Sequence, residues 1–120
     1  MGFRALRGAT TVELDDAESI SVRTKELIEG MLERNSIGKE QLVSIFFTAT
    51  ADLHAMFPAA AARQLGLGDV PLMCAQELTI NGAVGRCIRV MMHVEDDRPR
   101  GSFHHVYLHG AVGLRDDLPE

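Results

Sequence analysis

The sequence contains no tryptophan, only two cysteines and two lysines, and it lacks any long hydrophobic run. Cys74 and Cys87 are too few for a disulfide framework, and they do not have the spacing of metal ligands. No apolar segment approaches the roughly 20 residues of a membrane span. The net charge of −5 argues against nucleic acid, because phosphate-binding domains usually carry a basic face. We therefore expect neither a membrane nor a nucleic-acid partner. A small anion held by a local cluster of positive residues stays compatible with this composition.

Targeting signals are also missing from the first residues. The segment MGFRALRGATT has arginines at positions 4 and 7 and no apolar core, so it does not have the pattern of a signal peptide. Leu6 stands where a myristoylation site has Ser or Thr. These features predict a cytoplasmic protein with reduced thiols.

The sequence contains none of the familiar catalytic motifs, such as the phosphate-binding loop, the nucleophile elbow, the dinucleotide-binding glycines or the zincin helix. His93, His105 and His109 leave a three-histidine zinc site open, although separate exposed histidines are the simpler interpretation. Cys74 has no sequence neighbour that would activate it as a nucleophile. We expect no metal ion and no thiol chemistry.

The residues that are present have the composition of a globular domain, with 46% hydrophobic and 24% charged residues. A chain of 120 residues is expected to form one domain over 1–120, with a short flexible tail at about 116–120. Patterning predicts helices at about 17–34 and 57–66, and strands at 3–10, 42–49, 70–77, 86–95 and 104–109. This order predicts an α+β domain with a mixed sheet of about five strands and helix on one face. A homo-oligomer with packed sheets would cover the other face.

An arginine lies inside one of the most apolar segments, CIRVMMHV at 87–94. A buried cation without a partner is costly, so Arg89 requires either an internal carboxylate or a bound anion. Glu77, at the end of a predicted strand, is the obvious internal carboxylate. One interpretation is a structural Arg89–Glu77 pair at a subunit interface. The other is an anion pocket in which Arg7, Arg63 and Arg89 surround a carboxylate-bearing ligand while Glu77 orients a hydroxyl.

Five segments in the same order connect the chain to a known family. They are RGATTVE (7–13), TADLHAMFPAAAAR (50–63), CAQE (74–77), CIRVMM (87–92) and HVYLHGAVGLR (105–115). Together they resemble the monofunctional chorismate mutases of the trimeric α/β-barrel class, from about residue 3 to 118. The resemblance implies a homotrimer with active sites between adjacent subunits. It also implies the Claisen rearrangement of chorismate to prephenate, toward phenylalanine and tyrosine, without metal or cofactor.

The resemblance also implies a role for each of ten residues. The Arg89 guanidinium would face the ether oxygen of the breaking C–O bond. Arg7 and Tyr107 would hold the enolpyruvyl carboxylate, and Glu77 with the backbone at Cys74 would engage the ring hydroxyl. Phe57, Met73 and Leu114 would form an apolar wall, with Arg63 and Arg115 toward the mouth, near the ring carboxylate.

One position departs from the family pattern. Ala60 stands where the family often has a lysine, so Arg63 or Arg115 would have to hold the ring carboxylate here. Two alternatives stay open: a trimeric ligand-binding or imine-hydrolysing protein of similar architecture, and a mutase-like domain without catalysis.

Overall fold

The computed structural model describes residues 2–114, which form one five-stranded sheet and two α-helices. The strands are β1 (Phe3–Thr11), β2 (Leu42–Ala49), β3 (Leu72–Gln76), β4 (Cys87–Glu95) and β5 (Val106–Tyr107). The helices are α1 (Ala17–Arg34) and α2 (Pro58–Gln64). Short 3₁₀ turns lie at Lys39–Gln41, Arg100–Ser102 and His109–Ala111. The predicted α+β class and the mixed sheet are confirmed, and neither helix is long and apolar enough to cross a membrane.

The sheet is mixed and has β4 at its centre. Its strand order is β3-β2-β4-β1-β5. β4 runs antiparallel to both neighbours, β1 and β2, whereas the outer strands β3 and β5 run parallel to the strands they pair with. Because β1 and β4 pair along nine residues each, this central pair forms a rigid base from which alternate side chains point to opposite faces.

Helix α1 begins and ends at the predicted residues. Asp16 is the N-cap, and its carboxylate accepts a hydrogen bond from the Ser19 N–H at 2.7 Å. Asn35 follows the last helical residue, and its side-chain amide donates to the Met31 carbonyl. Apolar residues at helical spacing, including Leu27 and Ile28, are fully buried.

One face of the sheet is covered by both helices. Gly8 allows the closest approach, since a Cβ there would lie 2.6 Å from the sulfur of Met31. Gly8 therefore marks a close approach of α1 to β1. The sheet side of this core consists of alternate strand residues, Leu6, Ile45, Phe47, Val90, Met92 and Val94.

The opposite face, here termed the open face, is covered by neither helix of the described part of the chain. It carries the other set of alternate residues from the same strands: Phe3, Ala5, Arg7, Ala9, Phe46, Thr48, Met73, Cys87, Arg89, Met91, His93 and Tyr107. Phe3 and Met73 are 63% and 61% exposed in the single chain. Ala111 of the following turn and the half-buried Leu114 cover one end of this face, near Tyr107.

Three predicted elements are shorter than expected by three or more residues. β5 has two residues rather than six, because the chain turns at His109, which has φ 52, and continues as a 3₁₀ turn. α2 begins at Pro58 with Phe57 as its N-cap, and it ends before Gly66, which adopts φ 86. β3 begins after Pro71, which lacks the N–H that a strand interior needs. The tail at 116–120 lies outside the described residues.

Candidate active site

Arg89 lies at the middle of a row of side chains that crosses the open face. Its backbone pairs with Thr48 of β2 on one side and Ala9 of β1 on the other. Ala9 in turn pairs with Tyr107 of β5. Ala9 has the smallest side chain of these four residues, and it lines a cleft together with Arg89 and Tyr107. Strand pairing therefore places a cation and a phenol on either side of a depression.

The carboxylate of Glu77 lies beside Arg89, so an internal carboxylate, one of the two partners left open for this arginine, is present. Arg89 Nε lies 3.4 Å from Glu77 Oε2, and the Thr48 hydroxyl donates to the same oxygen at 2.9 Å. The backbone of Glu77 is held as well, because its N–H donates to the Ala49 carbonyl. This arrangement fixes both ends of the ion pair to the sheet.

Arg89 is not enclosed in the core, although its apolar neighbours suggested burial. Ile88 and Val90 point to the helices and are buried, whereas Arg89 has 43% of its side chain exposed in the single chain. Its Nε is buried, and within residues 2–114 that atom makes no hydrogen bond of good geometry. The alternation of a strand explains how one segment can be both core and site.

A cleft of about 170 Å³ lies over this row and is termed the sheet cleft. Its polar lining is Arg7, Thr48, Glu77, Arg89 and Tyr107, and Phe46 and Met91 contribute apolar surface. Arg89 is paired with Glu77, but within residues 2–114 Arg7 has no carboxylate partner. Two cations and one carboxylate give the sheet cleft a net positive charge, which suits an anion.

A second cleft of about 460 Å³ lies at the ends of β2 and β3 and is termed the end cleft. It is lined by residues 49–51, 53–58 and 74–76, which include Phe57 and Cys74. Phe57 is 71% exposed. The end cleft thus combines an exposed aromatic ring with a thiol, and no arginine of residues 2–114 lines it.

The environment of Cys74 favours its neutral thiol. Burial raises the pKa of the Cys74 thiol, while the backbone N–H of Ala59 and the charge of Arg63 act in the opposite direction. A thiol with a raised pKa is a poor nucleophile near neutral pH.

The ten predicted site residues fall into separate groups on the single chain. Arg7, Glu77, Arg89 and Tyr107 meet in the sheet cleft, and Leu114 packs against the small apolar cluster that contains Tyr107. Phe57 and Cys74 meet in the end cleft, with Arg63 close enough to affect Cys74. Met73 is exposed on the open face beside Phe46, its β2 partner. Arg115 lies outside the described residues.

The predicted alternative of a three-histidine metal site finds no support among residues 2–114, where no three potential ligands come together. His93 contacts the Ser44 hydroxyl, His105 accepts a hydrogen bond from the Arg7 backbone, and His109 pairs with Glu26. The three histidines serve three different local structures.

Sequence reasoning missed Thr48, which anchors Glu77, and Phe46 and Met91, which line the sheet cleft. The alternation in LVSIFFTA does place Phe46 and Thr48 on the face opposite Ile45 and Phe47. This alternation does not determine the strand register, which places Thr48 beside Arg89.

Comparisons with known proteins agree with this geometry. Residues 3–118 match the family model described as chorismate mutase type I. The chain is 48% identical over 119 residues to chorismate mutase AroH of Bacillus subtilis, covering 98% of this chain and 94% of that protein. It is 47% identical over 116 residues to the AroH enzyme of Thermus thermophilus, covering 96% and 95%. A solved structure, a chorismate mutase from Clostridium thermocellum, superposes with a TM-score of 0.87 at 46% identity, covering 89% of this chain and 96% of that one. The chain belongs to the chorismate mutase type I family.

Proposed function

We propose that this protein converts chorismate to prephenate by holding the substrate in its reactive conformer and stabilising charge at the ether oxygen. The observation that carries the proposal is the sheet cleft, where Arg89 is anchored by Glu77 beside Arg7, a cation without a carboxylate partner in residues 2–114. Membership of the family indicates that the substrate is chorismate. The charges of the cleft give a physical reason why this substrate would react there.

The reaction is an intramolecular rearrangement, and its bonds balance without any added group. The ether C–O bond breaks while a C–C bond forms between the enolpyruvyl methylene and the ring. No proton is transferred and no covalent enzyme intermediate is needed. An enzyme can contribute by selecting the folded conformer and by meeting the negative charge that develops on the oxygen. An acceleration of about 10⁶ corresponds to roughly 8 kcal/mol.

Arg89 is assigned to the ether oxygen in this proposal. Its backbone is in the central strand and its Nε is beside Glu77, so its position costs little to reorganise during the reaction. Arg7 and Tyr107 are assigned to the enolpyruvyl carboxylate, because both line the same cleft. Glu77 is assigned to the ring hydroxyl. Its carboxylate can accept a hydrogen bond from that hydroxyl while it also pairs with Arg89.

We propose further that the active site is completed between subunits of a homotrimer. Two observations support this: the open face leaves Phe3, Phe46 and Met73 exposed, and the assigned residues are divided between two clefts. In the trimer, the end cleft of one subunit would face the sheet cleft of the next. Phe57, Met73 and Leu114 would then form the apolar wall, and the backbone of Cys74 would reach the hydroxyl.

The mouth of the site is assigned to Arg63 and Arg115 near the ring carboxylate. Ala60, one turn before Arg63 on α2, provides no charge there. We also propose that the enzyme works in the cytoplasm, in the synthesis of phenylalanine and tyrosine.

The first test is to incubate the purified protein with chorismate in the absence of metal and cofactor, and to follow the loss of the substrate's ultraviolet absorbance. We expect prephenate to form, and sedimentation equilibrium to give the mass of three 13.1 kDa chains. A trimer without turnover would favour the ligand-binding or imine-hydrolysing alternative. Turnover by a monomer would contradict the shared site.

A further inference from the structure

The hydrogen-bond ladder between β1 and β5 is very short. It pairs Gly8 with Val106 and Ala9 with Tyr107, and the Leu108 N–H donates to the Ala9 carbonyl. Arg7 directly precedes Gly8 on β1, and β5 has no residue paired with it. The Arg7 backbone N–H therefore has no main-chain acceptor from β5.

The imidazole of His105 fills this position. The backbone N–H of Arg7 donates to His105 Nδ1 at 2.9 Å. Since an amide N–H can only donate, Nδ1 must be an unprotonated acceptor, and the ring is in the neutral tautomer with its proton on Nε2. The side chain thus takes the place of a strand carbonyl and extends the ladder by one bond.

This bond connects the two chain segments that carry Arg7 and Tyr107, which are assigned to the same part of the substrate. Arg7 is one residue before Gly8 on β1, and Tyr107 is two residues after His105 on β5. No carboxylate within residues 2–114 holds the Arg7 guanidinium, so its placement depends on the backbone that carries it. A displacement of about 1 Å at such a contact can cost about 10²-fold in rate.

We propose that His105 is a positioning residue, which sets the distance between Arg7 and Tyr107 by accepting the Arg7 N–H and so prepares both for the enolpyruvyl carboxylate. This inference rests on the proposed function. It assigns no contact between His105 and the substrate.

The test compares two substitutions of His105 with one at its neighbour. His105→Leu removes the acceptor and leaves a backbone N–H unpaired, whereas His105→Asn places an amide oxygen near the position of Nδ1. We expect His105→Leu to lower kcat/KM by about 10-fold, mainly through KM, because carboxylate binding contributes before and during the reaction. His105→Asn should recover most of the loss. His104→Leu, at an exposed neighbouring side chain, should leave the kinetics unchanged.

A double-mutant cycle separates positioning from a general structural role. Arg7→Ala keeps the backbone N–H and removes only the guanidinium. If His105 acts through Arg7, His105→Leu should have much less effect on kcat/KM in the Arg7→Ala background than in the wild type. Equal effects in the two backgrounds would overturn the proposal, as would wild-type kinetics in His105→Leu.

Two further measurements keep the outcomes distinct. ¹⁵N NMR of the His105 ring should show an unprotonated Nδ1 at neutral pH, and a protonated Nδ1 would overturn the proposal without reference to activity. Wild-type protein assayed alongside provides the reference. An inactive wild type would contradict the proposed function itself, whereas an active wild type with an unaffected His105→Leu would contradict only the role of His105.

Discussion

The two faces of the sheet are built from the same strands but carry different kinds of residue. Toward the helices, Phe47 and Val90 are buried in a core that is almost entirely apolar. Toward the open face, Phe46 is partly exposed and the next row carries Arg89 and Thr48. The helix face therefore stabilises the folded chain, while the open face is the surface to which the proposed trimer assigns association and chemistry.

The largest expected effect is on turnover by Arg89→Gln. If Arg89 stabilises charge that exists only in the transition state, its loss should lower kcat by at least about 10²–10³-fold. KM should change much less, because Arg7, Tyr107 and Glu77 would still hold the substrate. The melting temperature should change little, since Arg89 is partly exposed and a partly exposed ion pair contributes little to stability. Steady-state kinetics and thermal melting on the same sample measure both quantities.

Arg98 provides a matched control for an arginine with a structural role. It pairs with Asp96 at 2.8 Å, donates to the Asn35 carbonyl and lies 4.7 Å from the ring centre of Phe103. Arg98→Gln should lower the melting temperature and leave kcat unchanged. The division would be wrong if Arg89→Gln instead destabilised the protein or the trimer while the remaining trimers turned over normally.

A second test uses two adjacent phenylalanines of β2. Phe47 is fully buried against the helices, and Phe46 is 39% exposed on the open face. Phe47→Ala should reduce the free energy of unfolding by about 3–5 kcal/mol through cavity formation. Phe46→Ala should affect subunit folding much less and weaken association of the subunits instead. Chemical denaturation and sedimentation at several concentrations distinguish the two outcomes, because unfolding of an oligomer depends on protein concentration. Equal effects of both substitutions on association would contradict the division.

The sequence was sufficient for most of the local structure. The bounds of α1 could be predicted because Asp16 supplies a cap and the apolar residues recur at helical spacing. Alternation around Arg89 showed that a cation lay in an apolar strand, and Glu77 could be named as its partner. The short β5 was missed, since the turn at His109 depends on a positive φ, which is uncommon for any residue other than glycine.

The arrangement of the site depends on contacts between distant segments. Thr48 meets Glu77 across 29 residues of sequence, and Arg7 meets His105 across 98. Local patterning contains no register, so neither bond could be predicted from it. The division of the assigned residues between two clefts also depends on how α2 and β3 pack against the rest. The resemblance to a family could name the residues but could not show which of them meet within one chain.

The smallest expected effect is at Cys74, and it distinguishes the two clefts. The sheet cleft holds charged groups, whereas the end cleft holds a thiol whose pKa is raised by burial. A raised pKa means that the thiolate fraction at pH 7 to 8 is lower than for an ordinary cysteine, whose pKa is about 8.5. In a Cys87→Ala background, iodoacetamide should therefore modify Cys74 slowly near neutral pH and faster as the pH rises above about 8.5.

Cys74→Ala should keep kcat within a few-fold of the wild type, because the backbone at this position, rather than the sulfur, is assigned to the substrate. A bulky alkyl group attached to Cys74 should raise KM by steric blockage of the substrate. Such an increase would not mean that the sulfur takes part in the rearrangement. A loss in Cys74→Ala as large as that in Arg89→Gln would mean that the sulfur itself participates, and the assignment of the chemistry to the sheet cleft alone would be wrong.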